Sequence, residues 1–370
     1  MKLAITGQEG FIGSHLYNTI RHKRKDIQLV DFSKDFFDKD KSIDSVLNNV
    51  DIIVHLAGVN RHDDPSFLYN QNIKLSQKIL DSIKRVGFTG HLIFASSTQE
   101  NEDNPYGNAK KTSRKLFDKE SAKNGYNFSG LIIPNVFGPF TKPNYNSFIA
   151  TFCYNSIRDI ENEIIIDSKV SLIYVETLIN KIIETFTNQP KSKVEVSNET
   201  TINVSSVKNL IEEFKDTYLI NGAIPKLNTK FKKDLFKTFI TYIPLQDFFP
   251  KRYNLFTDER GTFSELVRTD VPGQVSYSIT KENETRGNHF HTRKIERFSV
   301  ISGESQIQIR KINSDEIFEF KLSGSNPSYI DMPIWHTHNI KNIGSEPLIT
   351  VFWINEFYDD IDSDTFYEKV

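Results

Sequence analysis

Lys2-Leu-Ala-Ile-Thr6-Gly7-Gln8-Glu9-Gly10-Phe11-Ile12-Gly13 decides the reading of the N-terminal half of this chain. An apolar run of strand length enters three spaced glycines and then an amphipathic stretch. Without side chains there, the backbone turns tightly and a phosphorylated ligand can approach the N-terminus of the following helix. Amide donors and the positive dipole end stabilise negative charge at that point. Glycines at strand–helix junctions are often only turns, so the motif needs its context. Apolar runs at Ile27–Asp31, Asp51–Leu56, His91–Ala95 and Phe128–Ile133 alternate with amphipathic stretches such as Phe67–Val86. That alternation predicts an α/β, Rossmann-like, doubly wound parallel sheet.

Composition sets the outer bounds. A chain of 370 residues is long for one domain and accommodates two. Its 38% apolar and 12% aromatic content is enough for packed cores, and a formal charge of −2 argues against nucleic acid as a partner. Cys153, the lone cysteine, excludes an internal disulfide framework and reads as a buried small hydrophobe in an apolar run. The start shows no signal peptide, and no apolar run nears the roughly 18 residues of a membrane span. A cytoplasmic protein without membrane insertion is expected.

The composition shifts near Lys230–Phe249, and the boundary is placed at Phe249-Pro250. This gives a domain over 1–245, with a substrate part from about 140, and a second over 250–370. The region 140–240 reads as mixed, with Ser206 as N-cap of a helix over Val207–Phe214. Lys230, Lys232 and Lys233 read as solvated surface. Beyond Tyr253, short runs such as Gln306–Ile312 and Ile317–Leu322 alternate with turns and predict an all-β barrel.

Three further residues give the first half a chemistry. Tyr106 and Lys110 are four apart behind Asn104-Pro105, which reads as N-cap and first helical residue, so both side chains share a helix face. An ammonium beside a phenol favours phenolate, pulling the tyrosine from about 10 toward neutrality. Such a tyrosine can exchange a proton with a substrate oxygen while hydride moves between the carbon bearing that oxygen and a nicotinamide. Ser97, ending the fourth strand, is placed to hydrogen-bond that oxygen. Asp31, ending the second strand, suits a ribose diol. Alone, the Tyr–Lys pair reads as surface; in this order with the glycines it reads as catalytic.

These residues resemble the extended short-chain dehydrogenase/reductase family, which acts on nucleotide sugars. The resemblance implies cofactor contacts from Gly7, Gly10, Phe11, Ile12, Gly13, Asp31, Leu56, Ala57, Gly58, Tyr106 and Lys110. His55-Leu56-Ala57-Gly58 is similar to the family's segment beside the cofactor, with His55 itself read as packed structure. Asn135-Val136-Phe137-Gly138-Pro139 is similar to a substrate-side segment. Ile132 departs from the arginine that members often carry there. NADPH is implied, and Asp31, which repels a 2′-phosphate, keeps NADH open.

The C-terminal third carries His289-x-His291, Glu296, Gly303, Pro333 and His338-x-x-x-Asn342. Two residues apart on a strand, His289 and His291 face one way, and a turn at Thr292-Arg293-Lys294 brings Glu296 from the next strand. His338 arrives from a strand far along the chain. Three imidazoles and one carboxylate suit a divalent metal, with Zn, Fe, Mn and Ni all open and zinc foremost. Four of the nine histidines fall in these two short segments. The spacing resembles the two motifs of the cupin superfamily, with Trp335 where a glycine is usual and His336 as a neighbour, not a ligand.

Asp258-Glu-Arg-Gly261-Thr-Phe-Ser-Glu265 and Arg286-Gly-Asn-His289 are similar to segments of the nucleotide-sugar 3,5-epimerases, which points to proton abstraction beside a sugar ketone. The two modules together, with Lys142–Ser147 and Ile149–Tyr154, resemble a family of bifunctional capsule-sugar enzymes across essentially the whole chain. That resemblance implies Asn135 and Asn146 at the substrate, a homodimer through the cupin domain, and a UDP-sugar substrate. It also implies C3 epimerisation of a UDP-4-keto-6-deoxy-N-acetylhexosamine in the cupin. NADPH-dependent C4 reduction to UDP-2-acetamido-2,6-dideoxy-L-talose follows, on the route to N-acetyl-L-fucosamine. Two alternatives stay open: a single-activity 4-reductase whose cupin serves dimerisation and structure, and a non-enzymatic NAD(P) or sugar sensor.

Overall fold

Leu3, Ala4 and Ile5 are at most 1% exposed, as residues of a central strand covered on both faces must be. In the computed structural model, which describes residues 1–259, 261–269 and 273–370, the first unit comprises residues 1–151 and 164–206. Its strands are β1 (Lys2–Thr6), β2 (Gln28–Val30), β3 (Ile52–His55), β4 (His91–Ser97), β5 (Asn127–Ile133), β6 (Asn135–Phe137), β7 (Lys169–Tyr174), β8 (Val194–Glu195) and β9 (Thr200–Asn203). The helices are α1 (Phe11–Lys23), α2 (Asp40–Leu47), α3 (Pro65–Val86), α4 (Pro105–Asn124), α5 (Phe148–Ile157), whose end passes into the second unit, and α6 (Val175–Glu184). The main sheet is parallel throughout, in the order β2-β1-β3-β4-β5-β8. All five strands expected from the sequence are present. One layer of the core packs Phe94, Phe117 and Phe128 from the sheet and α4 with Ile79 and Leu80 of α3.

Local chemistry sets the helix starts. Asn104 accepts the Gly107 amide at 2.8 Å with Pro105 first in the helix, as the sequence indicates. Asp64-Pro65 does the same for α3, which therefore begins two residues before the apolar periodicity does. The helix expected after Ser206 instead begins at Val204. Asp167, 38 residues away, accepts the Ser205 amide at 2.9 Å and its hydroxyl at 2.7 Å, so the cap is tertiary and Ser206 lies within the first turn.

The second unit comprises residues 152–163 and 207–370. Helices α7 (Val204–Phe214), α8 (Lys230–Ile240) and α9 (Leu245–Phe248) precede β10 (Lys251–Arg252), β11 (Phe256–Asp258), β12 (Gly261–Phe263), β13 (Gln274–Thr280), β14 (Thr285–Phe290), β15 (Glu296–Ser302), β16 (Glu304–Lys311), β17 (Ile317–Ser323), β18 (Ser328–Met332), β19 (His336–Asn342), β20 (Leu348–Ile354) and β21 (Phe366–Tyr367). Two antiparallel five-stranded sheets result, β10-β18-β15-β20-β13 and β17-β16-β19-β14-β21. Their apolar faces meet, with Phe298 of one edge-on to His338 of the other at 5.6 Å. This is the all-β, cupin-type fold expected from the sequence.

Residues 207–249 pack with these strands through a buried polar network. Arg297 is 2% exposed and forms a two-pronged ion pair with Asp331 at 2.8 and 2.9 Å, and the Tyr218 hydroxyl donates to the same carboxylate at 2.5 Å. Burying a charge this deeply requires such complete pairing.

Candidate active site and candidate metal centre

The strand order reverses between β1 and β3, so a crevice opens over their C-terminal ends. The glycine loop after β1 and Leu56-Ala57-Gly58 after β3 both lie there. Thr6 ties them together: its hydroxyl accepts the amides of Leu56 at 3.2 Å and Ala57 at 3.1 Å and meets His55 Nδ1 at 2.7 Å. Gly7 has φ +70, and a Cβ there would sit 2.9 Å from the Ala57 nitrogen; at Gly13 a Cβ would sit 2.0 Å from the Gly7 oxygen. Both are glycine because the backbone folds onto itself. Gly10 differs: its φ is −75, and a Cβ would approach the Gly7 oxygen only to 3.2 Å. The constraint at Gly10 is thus weaker than at Gly7 and Gly13, with the Gly7 oxygen having to give by only a few tenths of an ångström.

His55 is packed structure, as read from the sequence. It is 1% exposed, lies against Phe94 and Phe117, and is pushed down to about 3 by burial and then by Lys110. Asp31 follows β2 directly and is exposed. Asn135 and Asn146 are also exposed, the first opening β6 and the second in the loop before α5. Cys153 is buried, which raises its thiol.

Ser97 ends β4, and its hydroxyl accepts the Gln99 amide at 3.2 Å. Lys110 crosses from α4 to the sheet, donating to the Ala95 carbonyl at 2.9 Å, with Nζ 5.0 Å from the Phe94 ring and 5.7 Å from the Tyr106 ring. The expected phenolate is corrected here. Burial raises the partly buried Tyr106 to about 12, and Lys110 falls to about 8, through burial first, with Glu100 opposing. Desolvation outweighs the pair's mutual attraction, because the Lys110 ammonium is spent on a backbone carbonyl.

Glu100, which the sequence reading did not single out, anchors this corner. It is 4% exposed, takes Arg114 in a bidentate pair at 2.9 and 2.8 Å, and accepts from the Ser96 hydroxyl. Asn72 was also missed: its amide group bonds the Val59 amide at 3.0 Å and carbonyl at 2.9 Å, holding the 56–59 loop. Nothing in local spacing marks either residue.

In the second unit, His289, His291, Glu296 and His338 offer ligand atoms that all lie within 4.8 Å of one another. A bulge at Gly287–His289, with Asn288 at φ +57, shifts register so that His289 pairs directly with His338. β14 ends at Phe290, so His291 leads the turn, and Glu296 opens β15. His336 stands outside the cluster, its Nδ1 donating to the Ile334 carbonyl at 2.9 Å.

The donor set fits a divalent cation. His291 Nδ1 meets the Asp364 carbonyl at 2.6 Å and His338 Nδ1 the His336 carbonyl at 3.2 Å. A carbonyl only accepts, so both Nδ1 atoms carry a proton, and as neutral imidazoles both rings turn Nε2 lone pairs inward. Those Nε2 atoms stand 3.2 and 3.1 Å from Glu296 Oε2, and with neutral imidazoles all three buried atoms lack a hydrogen-bond donor. Acceptors converging on an acceptor call for a cation among them. His289 is held neutral, driven to about 3 by burial and then by His338 and His291.

Trp335 has φ +60, which explains why a glycine is usual at its place in the motif. Its amide donates to the His291 carbonyl at 2.7 Å and its ring stacks on Phe290. Gly303 turns between β15 and β16 with φ +84. Asn342 donates to the carbonyls of Thr280 and Glu346 and accepts the Gly344 amide, so it fixes a turn. Of the epimerase-like segment 258–265, Arg260 lies outside the described residues.

A parallel sheet with a glycine loop at its switch point, and Ser97, Tyr106 and Lys110 beyond it, has the architecture of a short-chain dehydrogenase/reductase. Residues 3–194 match the NAD dependent epimerase/dehydratase family, and residues 256–366 match the polysaccharide biosynthesis C-terminal domain. The chain belongs to the NAD dependent epimerase/dehydratase family and, over its whole length, to the CapF type that joins these two modules. The capsular polysaccharide assembling protein CapF of Staphylococcus aureus is 32% identical, with a TM-score of 0.64 and full coverage of both chains. A UDP-2-acetamido-2,6-beta-L-arabino-hexul-4-ose reductase of Pseudomonas aeruginosa is 29% identical over 99% of this chain and 98% of its own. RMD of Pseudomonas aeruginosa, solved with NADPH, shares the fold over 58% of this chain and 82% of its own, at 20% identity and a TM-score of 0.51. Among the described residues, no helix is long and apolar enough to cross a membrane.

Proposed function

We propose that the chain is a bifunctional enzyme that epimerises C3 of a UDP-4-keto-6-deoxy-N-acetylhexosamine in the second unit and reduces C4 in the first. The product is UDP-2-acetamido-2,6-dideoxy-L-talose, on the route to N-acetyl-L-fucosamine. The observation that carries this reading is the coexistence, in one full-length relative of CapF, of the Ser97/Tyr106/Lys110 corner and the His289/His291/Glu296/His338 cluster.

For reduction, Gly7, Gly10, Phe11, Ile12, Gly13, Asp31, Leu56, Ala57 and Gly58 hold the dinucleotide, and Asn135 and Asn146 face the sugar. NADPH, when bound, supplies the hydride for C4. Tyr106 gives its proton to the C4 oxygen as the ketone becomes an alcohol, Ser97 hydrogen-bonds that oxygen, and Lys110 offers positive charge beside it. A phenol held at about 12 is a reservoir of that proton at neutral pH.

For epimerisation, the three imidazoles and Glu296 hold one divalent metal, zinc foremost. A metal there supplies Lewis acidity at the ketone oxygen, where charge develops as the C3 proton leaves. The functional division is drawn at Phe249-Pro250. A homodimer through the cupin-type unit is supported by Val275, Tyr277 and Ile279, which project from one face of the edge strand β13 at 63, 69 and 52% exposure. A cytoplasmic location agrees with this chemistry.

Incubation with the 4-keto UDP-sugar in D2O, with and without NADPH and followed by NMR, tests the reading. Deuterium entering C3 without cofactor and NADPH consumed on its addition are both expected. Reduction without any exchange would leave a single-activity reductase.

A further inference from the structure

Asp364 lies 3% exposed in the C-terminal segment, at φ +46, and its carboxylate and main-chain carbonyl are both directed at the turn that carries His291 to Glu296. Its carboxylate accepts the amides of Thr292 at 3.1 Å, Arg293 at 2.9 Å and Lys294 at 3.1 Å, and the Thr292 hydroxyl at 2.6 Å. Its main-chain carbonyl takes the Nδ1 proton of His291 at 2.6 Å. Three successive amides folded around one carboxylate make an anion nest, here occupied by a side chain 70 to 72 residues away.

The neighbours of Asp364 repeat the arrangement. Lys294 Nζ donates to the Ser363 carbonyl at 2.7 Å, and Arg293 reaches both the carbonyl and the carboxylate of Asp362 at 2.8 and 3.0 Å. At the far end, Asn355 exchanges two bonds with Ile295, of 2.9 and 3.2 Å. The segment 355–364 is thereby latched along the whole turn 291–295.

We propose that Asp364 is the positioning residue of the metal centre: it shapes the turn between His291 and Glu296 and fixes the imidazole of His291 with Nε2 facing the cluster. The inference rests on the metal-centre reading given above. A first ligand whose tautomer and ring plane are set by a partner binds metal more tightly than one that must be ordered on binding. The centre therefore depends on the C-terminal segment, although that segment supplies no ligand to the cluster.

The test compares the full-length wild type with Asp364→Gly, which deletes the carboxylate while tolerating the left-handed backbone, and Asp364→Asn, which keeps one acceptor oxygen. Zinc affinity is read by competition with a chromophoric chelator, the ligand field by the visible spectrum of the cobalt(II)-loaded protein, and stability by melting of the metal-free chain. About 10- to 100-fold weaker zinc binding is expected for Asp364→Gly, with an intermediate loss and a shifted cobalt spectrum for Asp364→Asn. Wild-type zinc affinity in Asp364→Gly would overturn the inference, even with a lower melting temperature, since the carboxylate would then be structural only. If Asp364→Gly does not fold, wild-type affinity and spectrum in Asp364→Asn would overturn it equally. A wild-type chain that takes up neither zinc nor cobalt would instead bring down the metal-centre reading itself, and this inference with it.

Discussion

Lys110 donates a 2.9 Å hydrogen bond to the carbonyl of Ala95, two residues before Ser97, so the helix that carries Tyr106 is fastened to the strand that carries its partner hydroxyl. The ammonium that makes this bond is buried, at 5% exposure, and its carbonyl partner carries no full charge. Function and stability pull apart at this residue.

Lys110→Met should therefore abolish reduction while leaving the cofactor-free chain as stable or more so at pH 7. Burial lowers Lys110 from 10.5 to about 8, with Glu100 opposing, which is worth ~3 kcal/mol of penalty on the charged form. The lost hydrogen bond offsets ~1 kcal/mol of the relief. Between about pH 8 and 10.5 the folded chain binds fewer protons than the unfolded one. The penalty is thus complete below pH 8 and fades as pH rises through that window. Melting at pH 7 and pH 10 checks the sign: the variant's advantage should shrink at the higher pH. A variant less stable at pH 7 would show that the Ala95 bond matters more than the buried charge. In the companion variant Tyr106→Phe, reduction should be lost and NADPH binding kept.

Gly10→Val and Gly13→Ala should fail for different reasons. At Gly13 the added carbon meets the Gly7 oxygen at 2.0 Å, so the loop itself must shift and the melting temperature should fall. At Gly10 the backbone is ordinary and the contact is 3.2 Å, so Gly10→Val should lose less stability than Gly13→Ala yet bind NADPH and NADH at least tenfold more weakly. Calorimetry with both dinucleotides decides cofactor preference in the same experiment. Unchanged affinity for both would remove Gly10 from the site.

The glycine loop, the Asn104-Pro105 start of α4 and the His-x-His spacing were legible because each is local: a few residues carry both the signal and its cause. Trp335 was legible only as a departure from a motif. The structure supplies the reason, since a left-handed residue costs about 1–2 kcal/mol, and stacking on Phe290 with an amide bond to His291 offsets it. The start of α7 and the latch by Asp364 were hidden, because a carboxylate 38 or 72 residues away makes the bonds that decide them. The state of Tyr106 was misjudged for a related reason. Spacing placed Lys110 on the same helix face, but only the fold shows the Ala95 carbonyl taking the ammonium and protein covering the phenol.

Glu100→Gln should cost about 3–5 kcal/mol, because it leaves the buried Arg114 guanidinium without its counter-charge. The double variant Glu100→Gln/Arg114→Met should lose less than the two single changes added together. Urea unfolding of the four chains measures that coupling. The pH effect has a definite sign as well. Glu100 holds Lys110 up against burial, so its removal lets Lys110 lose its proton at a lower pH, and the alkaline limb of the reduction profile should move down. Additive losses with an unmoved limb would mean that Glu100 is only a surface-like ion pair.

His338→Ala should lose metal and C3 deuterium exchange together, while NADPH-dependent reduction of an already epimerised substrate persists. His338 is 1% exposed, pairs in register with His289 across β14 and β19, and stands 3.1 Å from Glu296, so it closes the cluster that the other three open. Removing it takes one of four donors from the set and leaves two imidazoles and a carboxylate, so metal should be held far more weakly than in the complete site. Elemental analysis of the variant, paired with NMR of the keto-sugar in D2O, separates the outcomes. Loss of metal with exchange intact would mean that the metal is structural and that the C3 proton leaves by another route. Metal held at full occupancy would mean that His338 is no ligand, and His336, two residues back on the same strand, would be the residue to examine.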